Sequence, residues 1–172
     1  MKQFNTRTMV KIAILTAVSV ALYALNFVVF EPLKMDFSDL PVIVTGSMLG
    51  LIPGIIVAFL KNLIHLFFLG STSPVVGEVA NMSFSILIML PFALLKGKKW
   101  DKYLIKSIIA ILLASAGMFV MNYFVTMPWY GINESSERIR LLFSVYTPFN
   151  LVKSAILCGV FALIKPQIDR MN

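Results

Sequence analysis

The chain has 172 residues, of which 59% are hydrophobic and only 13% charged, with a formal net charge of +7. A water-soluble domain carries roughly 25% charged residues, so this composition excludes one and implies an integral membrane protein. The basic excess does not indicate nucleic acid, because the Lys and Arg residues cluster at the edges of apolar segments and form no stripe interleaved with stacking aromatics. The single Cys158 and single His65 exclude an internal disulfide and a histidine-rich metal site. A chain of this length made of short-looped helices has room for one transmembrane domain.

A membrane-spanning helix needs about 20 mainly apolar residues. The first such segment runs from about Met9 to Phe30, is too long for a signal-peptide core and reads as retained. A polar extended loop, EPLKMDFSDLP, follows it. The apolar stretch from Pro41 to Leu69 is interrupted by Gly46, Gly50, Pro53 and Gly54. It divides into a short second helix (41–51), a tight turn near Leu51–Pro53 and a third helix (53–69), with one long kinked helix as the alternative. GSTSPVVGE is a turn-rich loop, and the fourth helix covers 77–95. After the basic connector KGKKWDK, the fifth covers 103–125. The long polar connection MPWYGINESSERIR folds over the bundle or carries a short surface helix, and the sixth helix covers 142–165.

The predicted architecture is an all-α six-helix bundle. On the side of the termini lie Lys2, Arg7, Lys11, Lys96, Lys98, Lys99, Lys102, Lys106, Lys165 and Arg170; the opposite loops hold only Lys34, Arg138 and Arg140, mixed with acidic residues. The positive-inside rule then puts both termini in the cytoplasm. The loops after helices 1, 3 and 5 face outside.

Within the apolar segments lie ionisable and amide side chains. Each charge at membrane depth costs about 2.5–3.5 kcal/mol on insertion scales and requires a partner or a polar interior. Asn150 and Lys153 share one face of helix 6, Glu78 and Asn81 one face of helix 4, and Lys61 and His65 one face of helix 3, beside Asn62. Asn122 and Tyr123 lie near the outer end of helix 5. Amides that donate and accept, with one ammonium, suit a neutral ligand rich in carbonyls, ring nitrogens and hydroxyls. Structural readings stand beside these: Lys153 pairs with a carboxylate such as Glu78, Lys61 ties helices together or snorkels, His65 is a satisfied interior histidine, and Asn122 is a helix–helix hydrogen bond. Asp36, Ser38 and Asp39 before Pro41 also suit a simple loop and helix cap. Ala13, Ala17 and Ala21 recur every four residues on helix 1 and let another helix approach closely, either within the bundle or from a partner. No nucleotide-binding signature occurs, so uphill transport by this chain requires an ion gradient or another subunit.

The run KMDFSDLPVIVTGSMLGLIPGIIVAFLKNLIHLFFLGSTSPVVGEVANM, with MNYFVTMPWY and YTPFNLVKSA, resembles the riboflavin-binding S components of energy-coupling factor (ECF) transporters, the RibU family. The resemblance extends over nearly the whole chain, and the joined pattern KNLIH…VGEVAN…NYF…TPFNLVK is its specific part. It implies a non-enzymatic membrane subunit that takes riboflavin from outside, with FMN as a further candidate. It also implies a transmembrane coupling subunit and two cytoplasmic ATPases that drive the S component to topple in the plasma membrane. By that resemblance Asn122, Asn150 and Lys153 are the principal flavin contacts, followed by Glu78 and Asn81. Lys34, Asp36 and Asp39 belong to the gate over the pocket, and Ala13, Ala17 and Ala21 face the coupling subunit. An S component for another vitamin is the nearest alternative. An intramembrane enzyme or a small channel is more distant, since paired carboxylates and metal-spaced histidines are missing.

Overall fold

The computed structural model describes residues 4–31, 33–69, 75–95, 97 and 100–170. Helix α1 (Thr6–Ala24) leads into a two-stranded antiparallel hairpin, β1 (Phe27–Phe30) and β2 (Leu33–Met35), and then α2 (Asp39–Leu49). Helix α3 (Leu51–Ile64) runs on as a π-helical turn, π1 (His65–Leu69), before α4 (Val76–Leu94). Helix α5 (Trp100–Met121) continues through π2 (Asn122–Thr126) into the single turn α6 (Met127–Trp129). Finally α7 (Ser135–Leu141), π3 (Leu142–Tyr146) and α8 (Thr147–Arg170) form one continuous rod. Among the described residues, five helices are long and apolar enough to cross a membrane, with the shorter α2 beside them. Lys2, Lys96, Lys98 and Lys99, and residues 70–74 of the GSTSPVVGE loop, lie outside the described residues.

Two boundaries differ most from the sequence expectation. The first helix stops at Ala24 instead of reaching Phe30. Asn26 turns its side-chain amide back onto the Tyr23 carbonyl at 2.8 Å, taking up an acceptor at the helix end. The following FVVF, β-branched and aromatic, suits an extended strand. The all-α bundle therefore carries one small hairpin. The last helix starts seven residues before Leu142, at Ser135, because the polar SSERIRL segment is itself helical and joins α8 through π3.

The break between α2 and α3 falls at Gly50, whose φ of 97° lies in the region that L-residues avoid. It lets α3 turn back along α2. Gly46 and Gly54 then press close on Met89 of α4; a Cβ at Gly54 would sit 2.9 Å from the Met89 methyl carbon. α2 is the hub, packed against α1, α3, α4 and α8, and its residues from Asp39 to Gly46 are all buried. α4 packs on α5, and α5 on α8. Toward the far end from the hairpin, Ile88, Phe92, Tyr103, Leu157 and Phe161 interlock as a compact apolar core. Phe92 meets Phe161 edge-on, their ring centroids 5.1 Å apart.

Candidate functional site

At the hairpin end the helices diverge around a cavity of about 740 Å³, counting its open mouth. Asn122, Asn150, Lys153, Glu78 and Asn81, which come from three different stretches of chain, all line it. So do His65, Lys34 and Asp36. Each of the three π turns among the described residues delivers a side chain to it: His65 from π1, Asn122 and Thr126 from π2, and Tyr146 from π3. A π turn adds a residue to the helical repeat and re-aims the side chains within it, and such turns recur at functional sites.

The floor of the cavity is a buried charge cluster. Lys153 Nζ lies 3.1 Å from Asp36 Oδ2 and 3.2 Å from Asp39 Oδ2. Lys61 Nζ lies 2.6 Å from Asp39 Oδ1 and donates to Ser38 Oγ at 2.7 Å. Ser85 donates to the same Asp39 oxygen at 2.5 Å, and Ser19 of α1 donates to the Ser38 carbonyl at 2.5 Å. Asp36 accepts from the Ser38 backbone N–H at 2.9 Å and from the Ser38 hydroxyl. Two ammonium groups and two carboxylates thus cancel, which is what burial of charge demands. The cluster ties α1, β2, α2, α3, α4 and α8 together.

A second cluster stands on one wall. His65 Nδ1 is 2.7 Å from Glu78 Oε1, and the Tyr23 hydroxyl donates to Glu78 Oε2 at 3.2 Å. The Tyr23 and His65 rings stack, centroids 3.7 Å apart and 14° from parallel. Glu78 is held in place by these partners, so the partner of Lys153 is the Asp36–Asp39 pair and not Glu78. The reason is position: Asp39 opens α2, where a carboxylate complements the positive end of the helix dipole, and there it meets Lys61 and Lys153 together. Asp39 is therefore a wholly buried helical residue and not part of a loop, whereas Lys34 lies on β2 and Asp36 directly after it.

Lys61 is a tie between α2 and α3, with its ammonium also 5.4 Å from the Tyr23 ring centroid. Asn62 donates to the Ala58 carbonyl of its own helix at 2.7 Å. Arg138 does not line the cavity, donating to the Ile132 carbonyl at 2.6 Å with its guanidinium beside the Tyr123 ring, and the exposed Arg140 stands on the same α7. Ala13, Ala17 and Ala21 are exposed along α1, so the stripe is not consumed by packing within this chain.

Sequence reasoning missed Tyr23, Phe84, Thr126, Tyr146 and Phe149 as cavity residues. Thr126 and Tyr146 stand four residues from Asn122 and Asn150, a spacing that carried the signal. Two buried oxygens at the cavity, Asn81 Oδ1 and Thr126 Oγ1, have no hydrogen-bond partner within the protein. A buried polar atom left unpaired is costly, so these oxygens are ready for a ligand's donors. Apolar walls with a few fixed amides and hydroxyls, over a charge-balanced floor, suit a flat polar heterocycle without net charge.

The chain matches the family described as ECF transporter, substrate-specific component, over residues 7–165. It is 31% identical over 170 residues to the riboflavin transporter RibU of Staphylococcus aureus (strain TCH60), covering 93% of this chain and 89% of that one. It is 30% identical to the riboflavin transporter FmnP of Bacillus subtilis (strain 168), covering 98% and 97% respectively. A solved structure of the S component of a bacterial ECF transporter superposes with a TM-score of 0.81 at 27% identity, over 96% of both chains. The biotin S component of an ECF-type transporter shares the fold, with a TM-score of 0.66 at 16% identity over 95% of both. With its helical membrane bundle, this chain belongs to the family of substrate-specific components of ECF transporters.

Proposed function

We propose that this chain acts as a single transmembrane unit that captures riboflavin from outside the cell and delivers it inward as the substrate-binding subunit of an ECF importer. The observation that carries the reading is its likeness to two riboflavin transporters across 93% and 98% of its length, joined to a cavity lined by amides, hydroxyls and apolar walls. Fold alone does not choose the vitamin, since a biotin-specific protein shares it.

In this reading Asn122, Asn150 and Lys153 hydrogen-bond the uracil-like edge and ribityl oxygens of the flavin. Glu78 and Asn81 add acceptors, while Phe84 and Phe149 flank the apolar dimethylbenzene end. Lys153 keeps a donor hydrogen for a flavin oxygen while Asp36 and Asp39 balance its charge. Lys34 and Asp36, at the hairpin, serve as the gate, and Asp39 anchors it to α2. FMN is a poorer ligand on charge grounds, because its phosphate would meet a floor already neutralised. Both termini face the cytoplasm of a bacterial cell, where Ala13, Ala17 and Ala21 receive the coupling subunit and two ATPases supply the energy.

Riboflavin titration of the detergent-purified protein, followed by flavin and tryptophan fluorescence, tests this. Saturable binding weakened roughly tenfold each by Asn122→Ala and Asn150→Ala is expected, the effect of losing about one neutral hydrogen bond. Tight binding indifferent to both moves the flavin elsewhere. No binding by folded protein replaces riboflavin with another vitamin.

A further inference from the structure

Beside the ligand cavity lies a second concavity, of about 980 Å³ counting its open side, between the hairpin and the first half of α8. Phe27, Phe30 and Met35 of the hairpin form one wall, Val152 and Ile156 of α8 the other, and Phe37 the floor. It shares Leu33, Phe149 and Lys153 with the ligand cavity, so those side chains border both.

The surroundings of this groove are apolar in a way that water does not permit. Successive residues of a strand point to opposite faces, so a strand with one face in water alternates in polarity. In β1 the residues Phe27, Val28, Val29 and Phe30 are all apolar, and each is at least 50% exposed. Hydrocarbon is the environment in which the side chains on both faces of such a strand rest without penalty. The other wall agrees: Val152 is 57% and Ile156 40% exposed on a membrane-spanning helix. The groove therefore opens on the lipid-facing surface and continues it inward.

Its charged group, the Lys153 ammonium, is already held between Asp36 and Asp39. Water drawn into the groove finds few polar partners, and apolar cavities stay dry. A lipid headgroup finds no free countercharge there. A partner helix finds aromatic rims instead of the small-residue face that close approach needs.

We propose that an acyl chain of a membrane lipid occupies this groove and forms the lateral wall of the ligand cavity. Packed between hairpin and α8, the chain props Leu33 and Phe149 against the ligand side. The inference stands on the membrane location of the fold and not on the identity of the vitamin.

The test is contact quenching by lipids brominated in mid-chain, in nanodiscs holding one copy of the protein. Trp100→Phe and Trp129→Phe remove the native reporters. Single tryptophans are then placed at Phe37 or Val145 in the groove, at lipid-facing Ile108, and at Phe92 in the core. Quenching at Phe37→Trp or Val145→Trp comparable to Ile108→Trp, with Phe92→Trp several-fold less affected, is expected. Adding the groove-filling Val152→Phe reduces the groove signal several-fold and leaves Ile108→Trp unchanged. Groove tryptophans quenched as little as Phe92→Trp, in variants with native circular dichroism and gel-filtration profiles, overturn the proposal.

Discussion

The two ends of the bundle are built from different materials. At the far end, Ile88, Phe92, Tyr103, Leu157 and Phe161 interlock on regular helices, and the Tyr103 hydroxyl is satisfied by the Cys158 carbonyl. Its charged groups stay near the rim, where Lys106 donates to the Gly97 carbonyl at 3.0 Å and Lys165 pairs with Asp169. At the cavity end the helices carry π turns, buried lysines, buried carboxylates and unpaired oxygens. Lipid tails are as apolar as leucine, so packing and polar contacts, not water exclusion, hold membrane helices together. One end uses the first of these forces, the other the second. The polar end can thereby leave space and unpaired atoms for a ligand while the packed end keeps the helices in place.

Substitutions sharpen that division. The largest effect is expected from Asp39→Asn, which strips Lys61 of its carboxylate partner at membrane depth. Breaking a buried pair from one side costs about 3–5 kcal/mol, read as a lowered unfolding midpoint in detergent. The double variant Asp39→Asn/Lys61→Met should recover a large part of that loss; a double as unstable as the single would show that charge pairing is not what holds this end. Next is Phe161→Ala at the packed end, expected to cost about 3 kcal/mol as a cavity opens, with ligand affinity unchanged. A parallel fall in affinity would erase the distinction between the ends. Smaller again, Thr126→Val removes a hydroxyl that has no partner inside the protein. It should leave stability level or slightly raised, by up to about 1 kcal/mol, while weakening ligand binding severalfold. Smallest of all, Ala17→Leu on the exposed face of α1 should change stability by no more than about 0.5 kcal/mol and leave ligand binding alone, yet block co-purification with a coupling subunit.

The packed end was legible from hydropathy, because runs of apolar residues between Gly, Pro and Lys-rich breaks place helices directly. The lysines at membrane depth were equally plain, and so was the common face of Asn150 and Lys153. What held those lysines was not. Asp36 and Asp39 lie in a polar run that reads as an outside loop, and only the fold of α2 under the cavity buries them. The hairpin was hidden for the opposite reason: FVVF is apolar enough to pass as the end of a helix, and Asn26, whose amide closes α1, is an inconspicuous residue. The π turns left no trace, since hydrogen bonding from i to i+5 has no composition of its own.

Those π turns carry a consequence for how ligand range changes in chains of this fold. Removing one residue from Asn122–Thr126 would let the segment close up as ordinary α-helix, with its backbone bonds intact. The helix beyond it would keep nearly its original phase, because one extra residue is what the wider turn absorbs, while Asn122 and Thr126 within the turn would be re-aimed at the cavity wall. The same holds at His65–Leu69 and Leu142–Tyr146. A single-codon deletion at any of these three places is therefore a route by which the scaffold survives while its pocket is rewritten, without any change in the residues themselves.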